Sequence, residues 1–134
     1  NNGYSKMIKV QTYMLLFYID FLLKRKGFKY TCELIKNKKQ KCKNTTLINL
    51  QDVISICSQI NNTIDKNLFF PKAECLHKSL IGHYILSKRN INVDFCLGVS
   101  LDGQFSSHAW LEIDGQIIND NKNYTDKFQI LMKL

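Results

Sequence analysis

Residues 91–120 read INVDFCLGVSLDGQFSSHAWLEIDGQIIND, and their period is two. Val93, Phe95, Leu97 and Val99 alternate with Asp94, Cys96, Gly98 and Ser100, which is the pattern of a half-buried strand. Asp102-Gly103 reads as a turn and Phe105 to Ile113 as a second strand. Asp114-Gly115 is a strong hairpin signal, and Gln116 to about Asp120 reads as a third strand. Short turns between successive strands make this stretch an antiparallel meander.

Upstream of it the apolar spacing becomes helical. Ser5 caps a helix expected to run to about Lys26, with Lys24, Arg25 and Lys26 in its last turn and Gly27 as its stop. Residues 36–46 (KNKKQKCKNTT) are polar and basic and read as a loop. A second helix is expected from Leu50 to about Asn61, because Leu50, Val53, Ile54, Cys57 and Ile60 fall on one face. Phe69-Phe70-Pro71 closes that section, since Pro71 disfavours helical backbone at Phe70. A third helix begins near Cys75 and reaches about Arg89, with Leu76, Leu80, Ile81, Tyr84 and Ile85 as its apolar stripe. Helices first and a meander afterwards predict an α+β domain. One domain over 1–134 is expected, helical over about 1–70, with the last helix and the sheet over about 71–134.

A chain of 134 residues with 45% hydrophobic side chains can bury a sizeable core. The net charge of +8 is unevenly spread. Residues 75–134 carry six basic and six acidic side chains, whereas residues 24–43 carry nine Lys or Arg against Glu33. Such a run can meet nucleic acid or an acidic partner, or simply be a solvated loop. No aromatic-interleaved basic motif accompanies it, so nucleic acid is not expected. The five cysteines (Cys32, Cys42, Cys57, Cys75 and Cys96) are odd in number and contain no CxxC pair. Neither a common zinc site nor a disulfide scaffold is expected, and the setting reads as reducing and cytoplasmic. Thr12 to Leu23 is apolar but is interrupted by Asp20 and too short to cross a bilayer, so it reads as a core helix.

Cys75 stands where the third helix starts. Unpaired N–H groups and the helix dipole stabilise a thiolate there and can help hold an oxyanion. A thiolate nucleophile needs a nearby base, and His108 on the second strand is the candidate. Asp120 is the candidate group to orient the imidazole. A two-residue hairpin at Asp114-Gly115 would place Asp120 opposite Ala109, pointing away from His108. A three-residue loop, Ile113-Asp114-Gly115, would place it directly opposite His108, so that loop or an equivalent bulge is expected. Taken singly, each residue has a plain structural reading: a buried thiol, a hydrogen-bonded strand histidine, the end of a strand. His77 and His83 read as structural, and Trp110 as core or wall.

Two blocks resemble a known family. Glu74-Cys75-Leu76-His77-Lys78-Ser79-Leu80 resembles the "CL-x-[RK]-S-L" helix start of the lasso-peptide B2 proteins, which are transglutaminase-like cysteine leader peptidases. Leu97-Gly98-Val99 with Phe105-Ser106-Ser107-His108-Ala109-Trp110-Leu111-Glu112 resembles their "GV…F-x-x-HAWVE" block, and Gly115 with Ile118-Asn119-Asp120 resembles its "G-x-x-I-N-D" ending. The match covers about residues 70–124. The resemblance implies a papain/transglutaminase-like fold and a Cys75–His108–Asp120 triad without metal or organic cofactor. It further implies a precursor (leader) peptide as substrate, a separate PqqD-like leader-recognition protein, B1, as partner, and an asparagine-synthetase-like lasso cyclase downstream. No PqqD-like segment is visible, so the chain reads as a stand-alone B2 whose basic 24–43 region could touch the leader or B1. Two other functions remain open from the residues: another transglutaminase-like thiol amidase or acyltransferase, and a non-catalytic basic binding module.

Overall fold

A computed structural model describes residues 2–40, 49–67 and 74–134. Helix α1 spans Asn2–Arg25. It buries Ile8, Thr12, Leu15, Leu16, Ile19 and Leu22, a stripe at helical spacing. Lys24 and Arg25 end it as expected, and Gly27 follows at φ +89°, its N–H on the Leu22 carbonyl at 3.0 Å.

Helix α2, Phe28–Gln40, corrects the loop expected over 36–46. Lys and Gln are good helix formers, and Thr31, Cys32 and Ile35 are buried and tie the helix to the core. Polarity at Lys36 and Asn37 therefore marks exposed positions of a helix rather than a break. Residues 41–46 of that expected loop, Cys42 among them, lie outside the described residues, as does the Phe69-Phe70-Pro71 break.

Helix α3, Leu50–Asp65, is capped by Asn49, whose side chain accepts from the Gln51 N–H at 3.0 Å. It runs one turn beyond Asn61 because Thr63 and Ile64 are buried. Helix α4 is Cys75–Lys88, with Glu74 as an extended N-cap, so Cys75 is its first residue.

Strands β1 (Asp94–Ser100), β2 (Ser106–Ile113) and β3 (Gln116–Ile117) form the expected meander, but β3 ends at Ile117 rather than near Asp120. Two elements follow that periodicity did not reveal: a one-turn helix α5, Lys122–Thr125, and an edge strand β4, Gln129–Lys133. The sheet is antiparallel in the order β3-β2-β1-β4. β4 is mostly exposed and has no alternation to read; backbone pairing defines it, with Phe95 and Leu134 exchanging N–H···O bonds of 3.1 and 2.8 Å.

Phe95, Ala109 and Leu111 share one core with Leu80, Ile81 and Ile85 of α4. The other sheet face is also covered. Cys96, Trp110 and Phe128 form a second cluster there, and Cys96 is fully buried, so β1 is not the half-buried strand its alternation suggests. Phe128, which follows α5, supplies much of that cover.

Gly98 lies directly across from His108 in the β1–β2 ladder. A Cβ there would come within 2.9 Å of the Trp110 ring and 3.0 Å of both the Gln129 carbonyl and Phe128. Gly98→Ala is expected to destabilise the fold by about 1–3 kcal/mol through overpacking, read as a lowered thermal midpoint. An unchanged midpoint would show that β4 moves aside freely.

Candidate active site

Cys75 opens helix α4, and the first intrahelical bond of that turn runs from the Lys78 N–H to the Glu74 carbonyl at 3.2 Å. The Cys75 N–H therefore lies in the first turn, where N–H groups have no intrahelical acceptor. Burial pushes the thiol up, but a hydrogen bond with His108, the Ala109 N–H and the imidazole charge outweigh it. The net is a thiol below its ordinary 9.0, despite the opposing Glu74 carboxylate. The other described cysteines behave in the opposite way. Burial pushes Cys32 up to about 11 and Cys57 and Cys96 up to about 12. Cys75 is thus the one described thiol poised to ionise. All four are free thiols.

His108 stands near the start of β2 and is 7% exposed. Its Nε2 is hydrogen-bonded to Asp120 Oδ2, which leaves Nδ1 for the thiol. Burial lowers the imidazole pKa, but hydrogen bonds to Cys75 and Asp120 and their charges raise it further, so the net lies above its ordinary 6.5. A lowered thiol beside a raised imidazole favours the thiolate–imidazolium pair. Three aromatic rings fix the imidazole plane: Trp110 stacks at 5.7 Å, Phe128 lies at 5.1 Å and Tyr124 meets it edge-on at 4.9 Å. Trp110 donates to the buried Glu112 carboxylate at 2.7 Å, which Lys133 neutralises at 3.1 Å. Trp110 is thus core: it packs behind the imidazole and does not line the cleft.

Asp120 reaches His108 by a route that the register argument did not foresee. Ile113 pairs with Gln116, so the hairpin has two residues and not three. Asp114 and Gly115 have φ of +49° and +81°, the twisted turn that suits the strands. In a continued ladder Asp120 would oppose Ala109 and face away. The ladder instead stops: the Ile118 N–H still donates to Leu111 O at 3.0 Å, but the Leu111 N–H turns to the Asn119 side chain at 2.8 Å. The chain bends there and delivers Asp120 to the imidazole.

Sequence reasoning missed the groups that hold these three side chains. Asn119 and Ser79 stand in the family-like blocks with no role assigned to them, and Asn61 only as the expected end of a helix. The run Asn119-Asp120-Asn121 is a turn-rich signal that could have marked the end of β3. His77, read as structural, links the nucleophile's helix to α1. Its Nδ1 accepts from the Glu74 N–H at 3.2 Å and its Nε2 donates to Asp20 at 3.1 Å. Asp20, which merely interrupted an apolar run in the sequence, also pairs with Lys24 at 2.9 Å.

Cys75, His108 and Asp120 open on one cleft of about 180 Å³, walled further by Asn61, Lys78 and Tyr124. Lys78 is held by Asp65 at 2.7 Å. The arrangement offers a nucleophile, a proton carrier and an orienting carboxylate in a space open to a chain segment. The groups suit acyl transfer through a thioester.

The profile of the transglutaminase-like superfamily matches residues 15–133. The chain is 32% identical over 120 residues to the microcin J25-processing protein McjB of Escherichia coli, covering 89% of this chain and 54% of that protein. It therefore spans about half the length of this relative. No solved structure matches. Among the described residues, no helix is long and apolar enough to cross a membrane. With a profile match over most of its length, helices followed by an antiparallel sheet, and a thiol at the start of the helix packed on that sheet, the chain belongs to the transglutaminase-like superfamily.

Proposed function

We propose that this chain is a cysteine peptidase that cleaves the leader from a ribosomally made lasso-peptide precursor in the cytoplasm. The observation that carries the reading is one cleft lined by Cys75, the first residue of α4, together with His108 and Asp120, which are hydrogen-bonded to each other. The similarity to a microcin J25-processing protein supplies the substrate class.

The Cys75 thiolate attacks the carbonyl carbon of the leader–core peptide bond. The Cys75 N–H, in the first turn of α4, is the candidate donor to the resulting oxyanion. His108 gives its proton to the departing core nitrogen, so the C–N bond breaks and a thioester with the leader remains. Neutral His108 then takes a proton from water, and the hydroxide attacks the thioester carbonyl. Collapse expels the thiolate, frees the leader as a carboxylic acid and restores the imidazolium. Asp120 holds the ring tautomer and stabilises the charged form throughout. The partners follow from the same reading: the precursor's leader, a PqqD-like recognition protein that delivers it, and a lasso cyclase that takes the freed core amine.

The test is to mix the protein with a lasso precursor and its PqqD-like protein and follow the products by mass spectrometry. The expected products are a leader ending in a free carboxylate and a core gaining a free amine. A leader recovered as an amide of an added amine would instead point to acyl transfer. An intact precursor would sink the peptidase reading.

A further inference from the structure

We propose that Asn119, held by Ser79, is a positioning residue that places Asp120 against His108; the proposal rests on the reading of Asp120 as the orienting carboxylate. With Glu112 paired to Ile117 and Ile113 to Gln116, strand geometry alone would send Asp120 to the Ala109 side of β2. A side chain replaces the backbone at that point. Asn119 Oδ1 accepts the Leu111 N–H at 2.8 Å, a bond that the Ile118 carbonyl would accept in a continued ladder. The Ile118 carbonyl is thereby released and the chain can turn.

The amide of Asn119 is oriented by its surroundings. The Leu111 N–H requires an oxygen, so Nδ2 faces Ser79 Oγ, to which it donates at 3.1 Å. Ser79 is fully buried on α4, one turn from Cys75, and α4 lies so close to β2 that a Cβ on Gly82 would reach Leu111 at 2.8 Å. The Asn119 carbonyl accepts from Asn61 Nδ2 of α3 at 3.2 Å. One residue is therefore clamped by a strand, the nucleophile's helix and α3.

Beyond it the chain is equally constrained. Asp120 Oδ1 accepts the Asn121 N–H at 2.7 Å while Oδ2 faces His108, and Asn121 caps α5 through the Asn123 N–H at 2.9 Å. Asn119 is thus the last anchor before Asp120, and its side chain is bonded through Ser79 to the helix that carries Cys75. Nucleophile and orienting carboxylate are referred to one frame by a single side-chain bond.

The test reads His108 itself. The chain has three histidines, so their ring C–H signals can be assigned by substitution and titrated by NMR. Asp120→Asn is expected to move the His108 midpoint to lower pH, because a carboxylate that favours the imidazolium is gone. Asn119→Ala is expected to move it the same way by at least half as much, and the Asn119→Ala/Asp120→Asn double variant no further than Asp120→Asn alone. That non-additivity separates positioning from general loosening, which would add. Ser79→Ala is the second variant, expected to shift the midpoint in the same direction should Asn119→Ala fail to fold. A midpoint moved by Asp120→Asn but by neither Asn119→Ala nor Ser79→Ala would overturn this proposal alone. Additive shifts would also overturn it. A midpoint unmoved by Asp120→Asn would overturn the role of Asp120 and this proposal with it.

Discussion

Cys75→Ala is expected to reduce leader cleavage by at least about 10⁴-fold, because the step has no other nucleophile to use. The residual rate is what binding and backbone donors supply alone. The variant should stay folded, since Cys75 is only half-buried and its neighbours need little rearrangement. It should still bind precursor and compete with the active protein. Cys57→Ala and Cys32→Ala are the matched controls. Both thiols are buried, pushed above their ordinary pKa, and absent from the lining of the cleft, so their loss is expected to lower stability rather than the rate per folded molecule. Mass spectrometry of the products, with circular dichroism to count folded protein, reads both. Cleavage that persists in Cys75→Ala would end the thioester mechanism.

The same thiol can be examined without a precursor. Thiolate is the alkylating form, and Cys75 is held below its ordinary value while burial raises the other three described thiols. Iodoacetamide at neutral pH is expected to label Cys75 well ahead of Cys32, Cys57 and Cys96. His108→Ala should slow that labelling, because the hydrogen bond and positive charge that favour the thiolate are removed.

Asp120→Asn is expected to lower kcat/KM by about 10²- to 10⁴-fold. Asparagine keeps the shape but offers no charge to the imidazolium and can present an N–H where Nε2–H needs an acceptor. The pH profile gives the sign. In the native protein the imidazole lies above its ordinary value, in part through Asp120, and the thiol lies below its own, so the ion pair is populated between two apparent pKa values. Loss of the carboxylate lets the imidazolium give up its proton sooner, so the alkaline limb of the activity profile moves to lower pH. A profile that keeps its alkaline limb while losing height would assign Asp120 a purely structural role.

The positions of the candidate residues on their elements were legible in the sequence. Cys75 at a helix start and His108 on a strand follow from local pattern: Glu74 precedes an apolar stripe of period 3.6, and His108 sits in a run of alternating residues. Local pattern also carried the helix α1 with its Gly27 stop and the order of helices before a meander. It failed where a segment's state is decided by what it touches. The basic stretch after Phe28 is helical because three buried side chains anchor it, not because its polar face says so. β4 exists because Leu134 and Phe95 exchange backbone bonds across 39 residues of chain. Cys96 alternates like a surface residue yet is buried, because Phe128 folds over it.

Asp120 marks the boundary between the two kinds of knowledge. The sequence by itself determined that a hairpin turns at Asp114-Gly115 and that a two-residue turn there would aim Asp120 away from His108; it did not show that β3 ends at Ile117, nor that the expected third loop residue is absent. That hairpin does form, and the carboxylate still arrives. Register propagates along a strand only while the backbone ladder continues, and here an asparagine side chain takes over a backbone bond and ends it. Which groups stand near enough to receive that asparagine, Leu111 on one side and Ser79 on the other, is a property of how α4 lies on the sheet. Only the tertiary structure could decide it.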